Sequence, residues 1–434
     1  MKWSAALFLL ASPALAELPE PVRDADYGAL NPAEARLGWL LFYDPILSGN
    51  RNIACATCHH PRFATSDGLP LGLGEGATGL GPERHIGTEN IPELRIPRNS
   101  PALFNLGALE FTRLFHDGRI EADPARRSGI RTPMDDEMVT GFASVLSAQT
   151  MFPVLSSDEM AGHYSENDVA KAVRSGRITG AGGAWDIIAA RVAAIPEYAT
   201  KFGSVSAEIG AGRAIDFTDI SNAVAAFVAQ EWRSDSSPFD AFLRGTADLS
   251  VEAAAGMELF YGAAGCAECH SGPFQTDHRF HAMAAPQLGP GKAERFESHS
   301  RDEGRFRVTG QASDLYAFRT PSLRNVTGTG PWGHAGAHGT LAEFLASHGQ
   351  PGALAGYARN ALLPALPDSK PDWAVLDSAT ETAAIAAAAT PLRPLSTAEI
   401  GSILAFLDSL TDPAAIAGRL GIPASVPSGL PVDR

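Results

Sequence analysis

The chain of 434 residues holds only four cysteines, and past its first residues it has no long uninterrupted apolar run. So few thiols exclude a disulfide-dense scaffold, and the missing run excludes a membrane span in the body of the chain. Cationic side chains are also in deficit: 34 Lys and Arg stand against 49 Asp and Glu, a formal charge of −15. That balance argues against nucleic acid as a partner and for a surface that attracts a basic protein. Aromatic residues make up 8% of the chain and strand signals are sparse, yet 45% of residues are hydrophobic, enough for two cores of ordinary size.

What is present begins at the N-terminus. Lys2 precedes the apolar run Ala5 to Leu10, and Ala14-Leu15-Ala16 closes it with small residues. This pattern predicts a signal peptide over residues 1–16, cleaved after Ala16, and a soluble periplasmic product. All four cysteines then fall in two copies of Cys-x-x-Cys-His, "CATCHHP" from Cys55 and "CAECHSGP" from Cys266. Four thiols in an oxidising compartment can form two disulfides, but a disulfide framework has no need of a histidine after each second cysteine. Covalent haem attachment does need it: the thiols add to the haem vinyl groups, and the adjacent imidazole binds the iron. The motifs therefore predict two c-type haems, haem 1 on Cys55, Cys58 and His59, and haem 2 on Cys266, Cys269 and His270.

An internal repeat supports two halves. Gly38-Trp39-Leu40-Leu41-Phe42-Tyr43 precedes the first motif, and Gly256-Met257-Glu258-Leu259-Phe260-Tyr261 precedes the second. Helix starts are legible at Asn31-Pro32-Ala33-Glu34 and at Ser396-Thr397-Ala398-Glu399. With 43 Gly and 31 Pro, the chain is expected to be mainly α, with long irregular loops. The expected division is two cytochrome c-like haem domains, residues 17–245 and 246–434, with the boundary between Arg233 and Ser250.

Beyond the haem motifs, the chain contains "RNSP" from Arg98, "FHDGR" from Phe115, "QTMFPVLSSDEM" from Gln149 and "FRTPSLRNVTGTGPWGHAG" from Phe318. In these stretches it resembles the bacterial di-haem cytochrome c peroxidases and their relative that matures methylamine dehydrogenase. The resemblance runs from about Asn31 to Asp412. It implies that peroxide reacts at haem 1, while haem 2 takes electrons from a small donor protein.

The resemblance assigns further residues. A Gln and a Glu ten residues apart line the distal side of haem 1 in the family, and Gln149 and Glu159 keep that spacing. A carboxylate over the iron can take a proton from one peroxide oxygen and deliver it to the other. Without the resemblance, Glu159 reads as a solvated residue at a helix start. His348 lies fourteen residues after His334, where the peroxidases have methionine and the maturation enzyme tyrosine as second ligand to haem 2. It is the expected second iron ligand, with His278, His281 and Met283 as rivals. His85, in a Gly-rich segment expected to be mobile, is a candidate distal ligand of haem 1. His116 stands where the family has a bridging tryptophan, which leaves Trp332 as a candidate bridge. Asn99 with the carbonyls of Thr329 and Pro331 matches the family's calcium site.

The reading is an enzyme that reduces hydrogen peroxide to water with electrons from a c-type cytochrome or blue copper protein, and the resemblance implies a homodimer. Two alternatives stand beside it: oxidation of a protein side chain or other organic substrate, and plain electron carriage.

Overall fold

Asn31 opens the first helix as expected: its side chain accepts from the amides of Ala33 and Glu34, and Pro32 occupies the first helical position. The computed structural model describes residues 17–292, 297–367 and 370–434; the expected signal segment, 1–16, lies outside the described residues. The helices that matter for the site are α1 (Pro32–Phe42), α2 (Val145–Thr150), α3 (Phe217–Glu231), α4 (Val251–Tyr261), α5 (Leu341–Ser347) and α6 (Thr397–Asp408). Among the described residues, the strands are two or three residues long and pair into three small antiparallel sheets, with loops between. The mainly α character is as expected.

The repeat has a structural cause. Gly38 of α1 lies against α3 so closely that a Cβ there would stand 1.7 Å from the Ala223 carbonyl oxygen and 3.0 Å from Phe227 Cβ. Gly256 of α4 meets α6 in the same way, 1.9 Å from the Ser402 carbonyl oxygen and 2.9 Å from Phe406 Cβ. Each pair of helices can cross only because the glycine has no side chain. Phe42 and Tyr43 are buried beside the first crossing, and Phe260 and Tyr261 beside the second. One hydrophobic cluster, holding Leu37, Leu41, Phe227 and Trp232, surrounds the first pair; a second, holding Phe239, Ile403 and Leu410, surrounds the other. The capping box Ser396–Glu399 opens α6, with the Glu399 amide donating to Ser396 Oγ at 3.3 Å.

The C-terminal segment crosses the expected boundary near residue 245. Val426 lies in the first cluster, Ser428 Oγ donates to Asp44 at 2.6 Å, and Thr57 donates to Asp433 at 2.6 Å. Trp39 Nε1 donates to the Gly421 carbonyl at 2.6 Å. Buried ion pairs join the halves as well. Arg98 meets Asp302 at 2.7 Å and Asp117 at 2.9 Å, and Arg95 meets Asp372 at 2.9 Å. Both carboxylates around Arg98 are held well below the usual range by its charge, after the opposing effect of burial. Breaking such a pair leaves a buried charge, so these contacts fix how the halves meet. Among the described residues no helix is long and apolar enough to cross a membrane.

Candidate functional site

Two cavities lie against the two Cys-x-x-Cys-His motifs. The first, about 180 Å³, is lined by Cys55, Cys58, His59, Gln149 and Glu159, with apolar walls from Phe42, Ile53, Val224 and Val228. The second, about 330 Å³, is lined by Cys266, Cys269, His270 and His348, with Phe260, Trp332 and Leu407 among its walls. All four cysteines are free of disulfides. Burial pushes the thiols of Cys55 and Cys58 up to about 12 and that of Cys266 up to about 11.

Each motif histidine is oriented in the way metal ligands usually are. His59 Nδ1 lies 3.0 Å from the Thr65 carbonyl oxygen, and His270 Nδ1 lies 3.1 Å from that of Gln275. A carbonyl at Nδ1 fixes the proton there and leaves Nε2 with a free lone pair. Burial lowers the proton affinity of both rings, so both stay neutral. Ser100 Oγ lies 3.3 Å from His59 Nδ1 and donates to the Cys58 carbonyl at 2.7 Å, which pins the motif from the "RNSP" stretch.

In the second cavity the rings of His270 and His348 lie with centroids 6.5 Å apart and planes tilted by 43°. An imidazole nitrogen meets a metal ion at about 2 Å, so two rings sharing one ion have centroids roughly 6–7 Å apart. The observed spacing fits a shared ion. Burial, with His270 and His338 nearby, lowers His348 to about 3. Of the rivals, His278 Nε2 lies 2.9 Å from Glu110 and His281 Nε2 lies 2.9 Å from Asp277, while His281 and Met283 also line the second cavity.

Gln149 reaches the first cavity from α2 and Glu159 from a short π-turn, Ser157–Ala161. The turn is gripped on both sides. The Gly49 amide donates to the Met160 carbonyl at 2.8 Å, and the Glu75 amide donates to the Asp158 carbonyl at 3.1 Å. Burial raises the Glu159 carboxyl above the usual carboxylate range, against the charges of Lys292 and Arg119. Gln149 Oε1 is buried with no partner among the described residues, a polar atom aimed at something the cavity receives.

Two expectations are corrected. His85 is exposed on a two-residue strand, with Nδ1 2.9 Å from the Glu83 carbonyl oxygen and Nε2 3.4 Å from Thr78 Oγ1. It does not line the first cavity, because its strand pairs with Ala77–Thr78 at the surface. Nor is the Gly-rich segment built as a mobile loop. Residues 71–75 are buried, and Arg84, 4% exposed, donates to the carbonyls of Leu73, Gly74 and Gly79. The glycines there permit close approach; a Cβ on Gly74 would stand 2.0 Å from the Asp158 carbonyl oxygen.

His116 lies in the wall between the cavities, which it shares with Asn99, Ser100, Pro101, Phe115 and Gln149. Burial and then the charges of Arg98, His334 and Arg319 lower it to about 3, so this ring is neutral. Trp332 lines the second cavity, with Nε1 donating to the Val326 carbonyl at 2.9 Å. Asn99 Nδ2 donates to the Pro331 carbonyl at 2.7 Å, its buried Oδ1 has no partner among the described residues, and Thr329 lines the same cavity. Sequence reasoning did not single out Lys292 or Arg119, both of which line the first cavity. Arg119 stood inside a quoted motif; Lys292 sits in a Gly-Pro-Gly-Lys loop with no chemical signature.

A family model described as di-haem cytochrome c peroxidase matches residues 32–248. The chain belongs to the di-haem cytochrome c peroxidase family. Among curated members, the methylamine utilization protein MauG of Methylorubrum extorquens is 29% identical over 331 residues, covering 75% of this chain and 71% of that protein. The cytochrome c551 peroxidase of Pseudomonas aeruginosa is 28% identical over 349 residues, covering 78% of each chain. The fold matches that of the diheme peroxidase BthA of Burkholderia thailandensis, with a TM-score of 0.55 at 20% identity, over 97% of both chains. A MauG-like protein associated with microbial copper homeostasis gives 0.57 at 23% identity, over 95% of this chain and 97% of that one. The di-haem peroxidase family implies two c-type haems and oxidoreductase activity, and each motif cavity is lined by the two thiols and the Nδ1-anchored histidine that covalent haem attachment uses.

Proposed function

We propose that this family member reduces hydrogen peroxide to two waters at the first cavity, taking two electrons from a small redox protein and two protons. The observation that carries the reading is the convergence of Glu159 and Gln149 on the cavity that holds Cys55, Cys58 and His59. Haem iron, once bound, supplies the electron transfer that peroxide reduction requires. The chain supplies the proton chemistry. A Glu159 carboxylate oxygen takes the proton from one peroxide oxygen and returns it to the departing one, a role typically contributing a factor of roughly 10²–10⁴. The Gln149 amide holds peroxide or water by hydrogen bonds. Apolar walls exclude bulk water and sharpen the field that Glu159 experiences.

The same reading gives haem 2 to His270 and His348, on the 6.5 Å separation of their ring centroids. It gives a calcium ion to Asn99 Oδ1 with the carbonyls of Thr329 and Pro331, oxygen donors of the hard type that calcium prefers. Periplasmic residence, a c-type cytochrome or blue copper protein as donor, and a homodimer complete it.

The test is Glu159→Gln, which keeps shape and removes the proton acceptor. Turnover with a reduced donor should fall about 10²-fold, equivalent to about 2.7 kcal/mol of transition-state stabilisation, while haem spectra stay those of wild type. Near-normal turnover in this variant rules the proposal out.

A further inference from the structure

The first cavity has a cationic side chain that comes from the other half of the chain. Lys292 lines it together with Glu159 and Arg119, yet belongs to a loop far along the sequence. That loop is firmly placed. Gln287 exchanges two hydrogen bonds with Asp302, its Nε2 donating to the carbonyl and its Oε1 accepting from the amide, each at 2.8 Å. Leu288 is buried against Leu71 of the Gly-rich segment, and the Gly289 amide donates to the Asp372 carbonyl at 2.9 Å. Gly291 packs against the Ser300 carbonyl oxygen, 2.1 Å from where a Cβ would be, so only glycine fits there. Lys292 is thereby delivered to the cavity wall.

Among the described residues, the other cations lining this cavity are already neutralised. Arg98 is paired with Asp117 and Asp302, and Arg119 reaches Asp117 at 2.5 and 2.9 Å. Among the described residues Lys292 makes no ion pair at contact distance, so its charge acts across the cavity. Among the described residues, the charged groups acting on Glu159 are Lys292, Arg119 and Asp158, and those acting on Lys292 are Arg119, Glu159, Arg98 and Asp117.

We propose that Lys292 is a positioning residue for peroxide reduction: its ammonium keeps the Glu159 carboxyl in the ionised form that can accept a proton. The inference rests on Glu159 being the acid–base group. Its direction follows from charge. Burial alone favours a protonated carboxyl, which can no longer take the first proton, and a nearby cation opposes that. Lys292 is the foremost of the charges that lower Glu159, ahead of the paired Arg119. In turn Glu159 supports the charge on Lys292 against burial and Arg119, which both lower it.

The test uses the full haem-loaded chain and two readouts. One is an infrared pH titration of the Glu159 carboxyl without peroxide, identified as the band missing in Glu159→Gln. The other is the pH profile of peroxide turnover. Lys292→Met should move the carboxyl titration and the acid limb of the profile to higher pH together; Lys292→Arg, which keeps the charge, should leave both near wild type. Should Lys292→Met not fold, Lys292→Gln gives the same comparison. An unmoved titration in a variant that folds, with Glu159→Gln still inactive, overturns the role of Lys292 and leaves that of Glu159 standing. An unmoved titration with altered haem spectra assigns Lys292 to holding the haem instead, which also overturns the proposal. Full turnover in Glu159→Gln removes the acid–base assignment and this inference with it.

Discussion

Gly74→Ala should damage the enzyme although residue 74 carries no chemistry. Its new Cβ would stand 2.0 Å from the Asp158 carbonyl oxygen and 2.9 Å from Glu159 Cα, both backbone atoms that cannot rotate away. A carbon–oxygen contact relaxes only at about 3.3 Å or more, so the two backbones must part by roughly 1.3 Å. Overpacking of this kind costs about 1–3 kcal/mol. The larger effect is on rate: the turn that moves carries Glu159, the proposed acid–base group, and about 1 Å of misplacement of such a group costs roughly 10²-fold. Gly352→Ala is the control: nothing lies within 4 Å of a Cβ there, so its effect should stay within about 0.5 kcal/mol. Denaturant unfolding and steady-state peroxide turnover of the two variants decide the matter. If Gly74→Ala matches Gly352→Ala in both, the Gly-rich segment does not hold the catalytic turn and the close-approach argument fails.

Two further outcomes are expected. Replacing His348 with Met should raise the potential of haem 2 by on the order of 0.1 V, since a thioether favours reduced iron; an unchanged potential and spectrum would show that His348 is no ligand. Asp240→Asn should lower the unfolding midpoint by the equivalent of about 3 kcal/mol, because Arg324, 0% exposed in its side chain, loses its charged partner at 2.6 Å and with it the anchor it gives Pro273 beside the second motif. A midpoint like that of wild type would mean water reaches this pair.

The parts of the site that could be read in the sequence are those whose chemistry is local. Cys-x-x-Cys-His fits within one turn, so the haem sites at Cys55 and Cys266 need no knowledge of the fold. The caps at Asn31 and Ser396 are local too, and both form. Lys292 is different: its role depends on a loop of the C-terminal half closing on a cavity of the N-terminal half, and a lone lysine carries no trace of that. The Gly-rich segment was misread for a physical reason. Glycine serves both flexibility and close packing, and only the position of the Asp158 carbonyl shows which applies at Gly74. His85 failed with it, since its candidacy depended on that mobility.

The repeat explains how one architecture gives two unlike haem sites. In each half a glycine-bearing helix leads into the motif, and a later helix closes the crossing, α3 behind Gly38 and α6 behind Gly256. The distal residues come from the stretch between motif and closing helix, and it is there that the halves differ. The first half inserts α2 and the π-turn, which bring an amide and a carboxylate, Gln149 and Glu159. The second inserts α5, whose C-terminal cap is His348. On the proposed reading, a carboxylate held by its own turn leaves room beside His59 for a small substrate, whereas His348, with its ring centroid 6.5 Å from that of His270, takes the corresponding place in the second cavity. If the proposed roles hold, the difference between the two haem sites lies in these two stretches and not in the repeated unit. Exchanging motif residues between the halves would then leave the chemistry where it is, since the distal groups do not travel with them.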